Sequence, residues 1–323
     1  MSTLVTATRY NNLQTRIQAV LGTSQSGATT YGYGQTVDSS QVTGDFASNA
    51  GSTDIISEAQ YVDIYSDIVR ARVHQIGSTA FGTAANPYVE GDFNTNGAST
   101  DKVEEAHITY LEGVMTDCEN NRFTMHSSQA ATQSLGSSQR TSPWNGEVYH
   151  EFKLVFPSAA ARRHYFNAGG EVRIDSTQSG DTSQKGQEWN DMITPGDVQF
   201  DHSATVHSTG FGSATTIGNY DLTSSYQTIW QKTAPTYSGN IFYIQAKQQS
   251  STEIRFKVIF DDVNTNALTE PDISDGYPDV DEDVSGTLTV QVNAYRPSGS
   301  VTIGSSITTV NVAAPTYTSI SGL

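Results

Sequence analysis

Hydrophobic residues recur at helical spacing in three segments of the N-terminal part of the chain. In the first segment Tyr10, Leu13 and Ile17 lie three or four positions apart, and Gly22 follows where a helix would end. Each segment leaves its other faces polar, so the pattern predicts three amphipathic helices joined by polar, glycine-rich stretches. The segments are 6–21, 57–76 and 101–118.

Two stretches in this half lack a sustained period. Residues 22–54 are rich in Ser, Thr, Gly and Tyr, and such a length without elements is unusual in a compact domain unless it contacts something else. It is therefore interpreted as either an extended arm or a long loop. Residues 127–142 are mostly Ser, Gln, Ala and Thr, a composition typical of a linker or flexible loop.

From Trp144 onward the hydrophobic period changes to two. Val148, Phe152 and Leu154 alternate with polar or half-polar neighbours, which predicts a half-buried strand ending at Pro157. Together with six later candidates this gives seven strands separated by turn signals, the pattern of an antiparallel sandwich. The later candidates are 171–175, 199–207, 226–231, 241–247, 253–260 and 287–295.

These patterns predict an α+β fold, in which a helical N-terminal region with extended arms precedes an antiparallel β-sandwich. We predict that residues 1–126 form the helical and arm region for docking and assembly. Residues 127–142 would be a linker, and 143–323 the β-sandwich domain with a C-terminal arm. The tail from residue 297 is expected either to add an edge strand or to extend as that arm.

The net negative charge of the chain excludes some classes of binding partner. Lys and Arg number 17 against 34 Asp and Glu, a formal net charge of −17. Because phosphate contacts need a positive footprint, we expect no nucleic acid and no anionic membrane as partner. The single cysteine, Cys118, excludes an internal disulfide and any multi-cysteine zinc site.

One segment is strongly acidic. From residue 261 to 283 there are nine acidic residues and no basic one. Calcium takes six to eight oxygen ligands, but the spacing here does not match an EF-hand loop. Two interpretations stay open, a solvated acidic loop and a calcium site, and calcium is the only candidate cofactor. The candidate ligands are Asp261, Asp262, Asp272, Asp275, Asp279, Asp281 and Asp283.

Other chemical motifs are missing from the sequence. The seven histidines form no His-Glu-x-x-His pattern, and there is neither a Gly-x-Ser-x-Gly elbow nor a phosphate-binding loop. Nothing selects a pair of carboxylates for glycoside hydrolysis, so we expect a protein that is not an enzyme. Exposed tryptophans could instead stack on sugars, and the candidates are Trp144, Trp189 and Trp230.

The most distinctive segment is 157–174, PSAAARRHYFNAGGEVRI. It reads as the end of a strand, a short helical piece led by Ser158, and a turn into another strand. Three of the 17 cations of the chain lie in it, and they could pair with acidic surface on a neighbouring subunit. The predicted interface residues are Arg162, Arg163, Tyr165, Phe166 and Arg173.

This segment resembles one in structural proteins of tailed bacteriophages, notably the T4-like phages of marine cyanobacteria. Residues 10–22, 31–35 and 67–75 are similar to parts of such proteins too. The resemblance implies a multi-copy virion component of the tail, baseplate or neck, assembled in the host cytoplasm and without catalysis. Its implied partners are further copies of itself and other virion proteins. The alternative is a tail-fibre or adhesin component whose β domain binds host-surface glycan.

Overall fold

The structure, a computed structural model, contains five α-helices and eleven strands among the residues that it describes. The chain divides into two compact units. The helical unit comprises Met1–Ala131, Arg163–Gly169 and Arg296–Ile303, and the β unit comprises the remaining segments. The described residues are 6–23, 32–42, 56, 58–78, 105–193, 195–262, 283–304, 307–311 and 316–318.

The three predicted helices of the N-terminal region are confirmed. They are α1 (Ala7–Val20), α2 (Glu58–Ile76) and α3 (Glu105–Asn120). The hydroxyl of Thr6 caps α1 by accepting a hydrogen bond from the amide of Arg9. Their apolar stripes form one core, because residues three and four apart share a face. Its fully buried members include Tyr10, Leu13, Ile17, Tyr61, Ile64, Ile68, Ile108, Leu111 and Cys118.

Two short segments that are distant in sequence, Arg163–Gly169 and Arg296–Ile303, also belong to the helical unit. The predicted helical region, residues 1–126, did not include them. In the first, the carbonyl of Ala168 accepts a hydrogen bond from His74 Nε2 at 2.9 Å. In the second, the amide of Ser300 donates to Gln129 Oε1 at 2.7 Å. Such contacts depend on tertiary packing, so hydrophobic periodicity along the chain does not reveal them.

Two further helices follow. The short helical piece predicted after Pro157 is confirmed as α4 (Ala159–Asn167), with Ser158 accepting from the amide of Ala161. The sequence did not reveal α5 (Gln184–Ile193), which contains a glycine and only three large apolar residues. The signal was the cap: Ser183 Oγ accepts from the amide of Gly186 at 2.9 Å.

The strands form two antiparallel sheets. The five-stranded sheet has the order β1-β9-β3-β4-β5, and the second has the order β10-β2-β8-β7-β6, with β11 also paired to β2. The strands are β1 (Ala130–Arg140), β2 (Gly146–Val155), β3 (Glu171–Ser179), β4 (Asp197–Phe200), β5 (Thr205–His207), β6 (Gln227–Thr233), β7 (Ile241–Gln248), β8 (Glu253–Asp262), β9 (Thr287–Pro297), β10 (Thr308–Asn311) and β11 (Thr316–Thr318).

Burial alternates along the long strands, as the period of two predicted. In β2 every second residue is buried and its neighbours are half-exposed. Side chains from the buried faces of the two sheets meet, since Phe200 of β4 lies edge-on to Phe256 of β8 with ring centroids 5.3 Å apart. The architecture is therefore the predicted α+β arrangement with a sandwich of two sheets.

In the β region, the predicted linker differs from the expectation, and the structure of the C-terminal tail makes the expectation for it more specific. Ala130–Arg140, within the predicted linker, is a regular strand at the edge of the five-stranded sheet. Its small polar residues remain at least partly exposed, so no hydrophobic alternation marked it. At the C-terminus, β10 and β11 pair with β2, which selects the edge strand over a free arm for these residues. No described helix is long and apolar enough to cross a membrane.

Candidate functional site

The structure places Arg162, a predicted interface residue, inside the β unit. Its side chain is 4% exposed. Nε donates to Asn219 Oδ1 at 2.7 Å, and Nη1 donates to the carbonyl of Ser250 at 3.0 Å. This guanidinium ties α4 to two loops of its own chain, so its predicted contact with a second copy is wrong.

The aromatic members of the predicted interface are also internal. Tyr165 and Phe166 are fully buried and pack edge-on with ring centroids 5.1 Å apart. Arg163 is half-buried. A side chain without exposed surface cannot contact a neighbouring subunit, which corrects the prediction for Tyr165 and Phe166. The sequence indicated an unusual segment here but could not distinguish internal packing from an interface.

Arg173 is the predicted interface residue that lies on an outer sheet face. Its guanidinium stands 3.7 Å from the centre of the Tyr295 ring and pairs with Glu171 at 2.8 Å. On the same face Asp175 is directly opposite Asp197 across β3 and β4, an unfavourable like-charge pair. Burial, and next the neighbouring Asp197, raise the pKa of Asp175.

The first two acidic residues of the segment, Asp261 and Asp262, do not belong to one calcium site. Asp261 and Asp262 are successive residues of β8, so their side chains point to opposite faces of the sheet. Asp262 is buried and forms an ion pair with Lys185 at 2.6 Å. On the other face, burial and the nearby Glu147 raise the pKa of Asp261. These two carboxylates therefore do not share one ion, which corrects their pairing as ligands.

Most of the other predicted calcium ligands lie outside the described part of the chain. Asp283 is exposed. Within the described residues, no group of three or more His, Cys, Asp or Glu side chains has a metal-binding arrangement. The candidates outside the described residues are Asp272, Asp275, Asp279 and Asp281.

The three tryptophans do not form a sugar-binding platform, because all of them are buried. Trp144, Trp189 and Trp230 are 2%, 1% and 0% exposed. Trp144 and Trp189 pack edge-on in the β unit with ring centroids 5.1 Å apart. Side chains this large and apolar pack in the core, so the surface role expected of them is wrong.

The outer face of the six-stranded sheet carries an aromatic surface that the sequence analysis missed. We call it the tyrosine face, defined by Tyr149, Tyr226 and Tyr243, all half-buried. Tyr149 and Tyr243 both lie opposite Ile259, so they form one row across β2, β8 and β7. The alternation that exposed these positions was visible in the sequence, but which strands are neighbours was not.

Charged groups fix the rings of the tyrosine face. Lys257 Nζ lies 4.6 Å from the ring centre of Tyr149 and 4.9 Å from that of Tyr226. The hydroxyl of Tyr226 donates to Glu151 at 2.8 Å, and that of Tyr243 donates to Glu147 at 3.2 Å. The face thus offers ordered rings, ammonium groups and carboxylates, the mixture typical of a polar interaction surface.

Burial makes one thiol and two imidazoles of the chain chemically inactive at neutral pH. Burial raises the pKa of the Cys118 thiol to about 12, so at neutral pH it is a protonated, inert thiol. Burial also lowers the pKa of His74 and of His150 to about 4. Both imidazoles are therefore neutral at pH 7, as expected for packed histidines rather than acid–base groups.

Comparison with known proteins adds no relative to this description. No protein-family model, no curated protein sequence and no solved structure matches the chain.

Proposed function

We propose that the chain is a non-enzymatic structural component of a tailed-phage virion, present in several copies in the tail, baseplate or neck. The observation that carries the proposal is the position of the C-terminal segment. β10 and β11 pair along β2, a strand more than a hundred residues earlier in the chain. Strand addition uses main-chain hydrogen bonds, so the same edge can accept the equivalent segment of a neighbouring copy.

The segment 32–42 gives further support. Asn11 and Val42 exchange two hydrogen bonds, at 2.8 and 2.9 Å, and Gln14 donates to the carbonyl of Ser39. The amide of Ser39 donates to Asp67 Oδ2 at 2.8 Å. Polar side chains thus hold a segment without helix or strand by its backbone. Segments held in this way suit subunits whose arms become ordered as they assemble.

The test is quantitative mass spectrometry of gradient-purified phage particles from the source system, with an absolute copy number for this chain. We expect a fixed copy number. A multiple of three or six would indicate the tail or baseplate, whereas a multiple of twelve would be equally compatible with the neck. A deletion of residues 305–323 should lower the copy number, whereas a chain with Phe211→Ala, at an exposed ring outside β2, β10 and β11, should enter normally. Absence of the chain from the particle would overturn the proposal.

A second candidate is an adhesin component, favoured by the tyrosine face. Tyr149 and Tyr243 lie in one row beside Lys257 and Glu147, so rings, hydrogen-bond donors and acceptors lie together on one sheet face. The full chain should then bind host-surface glycan on an array, and Tyr243→Ala should weaken binding at least tenfold. Phe211→Ala, at an exposed ring outside this face, is the control. No binding to the glycans of the cognate host would remove this candidate.

A further inference from the structure

An unusual pair of charged groups lies inside the β unit. Lys185, near the start of α5, and Asp262, the last residue of β8, are distant in sequence. Their side chains are 4% and 0% exposed, and Nζ lies 2.6 Å from Oδ2. The two groups that an amide bond would join are therefore in direct contact.

Aromatic residues share the faces of α5 and β8 on which this pair lies. Trp189 lies one turn after Lys185 in α5, and Phe260 lies two residues before Asp262 on the same strand face. The two rings pack edge-on with centroids 6.0 Å apart, and Trp144 packs against both. Directly opposite Asp262 on β2 is Gly146, which has no side chain. Removing two full charges from water into such a site is unfavourable because both ions lose their hydration.

We propose that Lys185 and Asp262 are joined by an intramolecular amide bond. The ammonium first gives a proton to the carboxylate, which leaves an amine and a carboxylic acid. Nζ attacks Cγ, the bond from Cγ to the hydroxyl oxygen breaks, and one water molecule leaves with the second proton of the nitrogen. The step needs neither an oxidant nor a cofactor.

The geometry and the surroundings both favour this step. Two groups held in contact react with an effective concentration far above that of free groups, on the order of 10⁵ M or more when well aligned. The product replaces two buried charges by one neutral amide, which removes the desolvation cost of the ions. The chain has one cysteine and so cannot cross-link itself through a disulfide. The amide would instead tie α5 to β8 permanently.

The test is the intact mass of the full-length chain, purified folded and then denatured before measurement. We expect a mass lower than that of the sequence by one water molecule. Trypsin should leave the chain uncut after Lys185 and release a branched peptide that contains both residues. The full sequence mass after prolonged incubation of the folded chain, with normal cleavage after Lys185, would overturn the proposal.

Variants assign the bond to these two residues. Lys185→Arg keeps the positive charge but removes the amine, so the full mass should return. Asp262→Asn should lose one ammonia molecule instead of water. Lys257→Arg, at a half-buried lysine of the same strand as Asp262, should retain the loss of water. Because the mass of the unaltered chain decides the matter by itself, the proposal stays testable even if a variant does not fold.

Discussion

The helical unit and the β unit are stabilised in different ways. In the helical unit, polar side chains reach across between elements: Arg9 forms a two-pronged pair with Glu112, and Arg16 forms one with Glu119. In the β unit, backbone ladders set the positions and aromatic rings fill the interior, as in the stacked rings of Phe242 and Phe260, 4.9 Å apart. The helical unit thus adds directional contacts to its apolar core, whereas the β unit combines sheet hydrogen bonds with a large buried aromatic area.

This difference follows from composition. Hydrophobic residues make up only 36% of the chain, which is low for a globular protein. Alternating strands concentrate them on one face of each sheet, so the β unit obtains a dense core. In the helical unit, the segment 32–42 is held by backbone hydrogen bonds to residues 20–22 and by side chains such as Asp67. We therefore expect the two units to respond to different perturbations.

The two units can be observed separately. All three tryptophans lie in the β unit, so tryptophan fluorescence reports its unfolding. Far-UV circular dichroism reports the helices, most of which belong to the helical unit. The predictions below use both signals during urea unfolding.

The largest effect is expected in the aromatic core of the β unit. Phe260 is fully buried and contacts Phe242, Trp189 and His150. Phe260→Ala should lower the free energy of unfolding by about 3–5 kcal/mol, through lost burial and a residual cavity. Urea unfolding followed by fluorescence measures it. Phe211→Ala, at a ring that is 46% exposed, should change it by less than about 1 kcal/mol. Equal losses in the two variants would contradict this account.

A smaller effect is expected for the polar contacts of the helical unit. Asp67 accepts hydrogen bonds from the amides of Asp38 and Ser39 and pairs with Arg70 at 3.2 Å. Asp67→Ala should lower the free energy of unfolding of the helical unit by about 2–3 kcal/mol, because it leaves the buried amide of Ser39 without an acceptor and removes the partner of Arg70. Circular dichroism measures the loss. Asp117→Ala, at an exposed carboxylate, is the matched control and should have little effect.

Acid should destabilise both units, each through one buried histidine. His74 and His150 have a pKa of about 4 when folded, against 6.5 when unfolded. Between these values only the unfolded chain binds the proton, so the stabilisation is complete above about pH 7 and is lost as the pH falls towards 4. From pH 7 to pH 5 each histidine should contribute a loss of about 2 kcal/mol.

Variants separate this contribution from that of the carboxyl groups. Burial raises the pKa of Glu171, Asp175 and Asp261, which acts in the opposite direction because a raised carboxyl pKa favours folding in acid. His150→Phe should reduce the pH dependence of the fluorescence transition alone, and His74→Gln that of the circular dichroism transition. An unchanged slope in both variants would exclude the histidines as the cause.

The smallest effect concerns the partly exposed ion pairs. Arg16→Gln should cost about 1 kcal/mol or less, since Arg16 and Glu119 are 29% and 38% exposed in their side chains. The loss should shrink in high salt, which screens exposed charges. A double-mutant cycle with Glu119→Gln isolates the coupling of the pair. A coupling that does not change with salt would show that the contact is mainly a hydrogen bond.

The sequence predicted most elements but not their neighbours. Helix α1 and strand β2 were predicted closely because a period of 3.6 or 2 is a local property of the chain. Strand β1 and helix α5 were missed because they carry few large apolar residues. Arg162 and Tyr165 were singled out correctly as unusual, yet their burial depends on elements that meet them only in the folded chain.

By itself, then, the sequence determined the three N-terminal helices, the change to a strand period after Trp144, the acidic balance and the single cysteine, since each can be read along the chain. The tertiary structure decided which strands are neighbours, and with them the row of Tyr149, Ile259 and Tyr243. It also decided that Lys185 meets Asp262, because strand pairing and helix docking join residues that no local pattern connects.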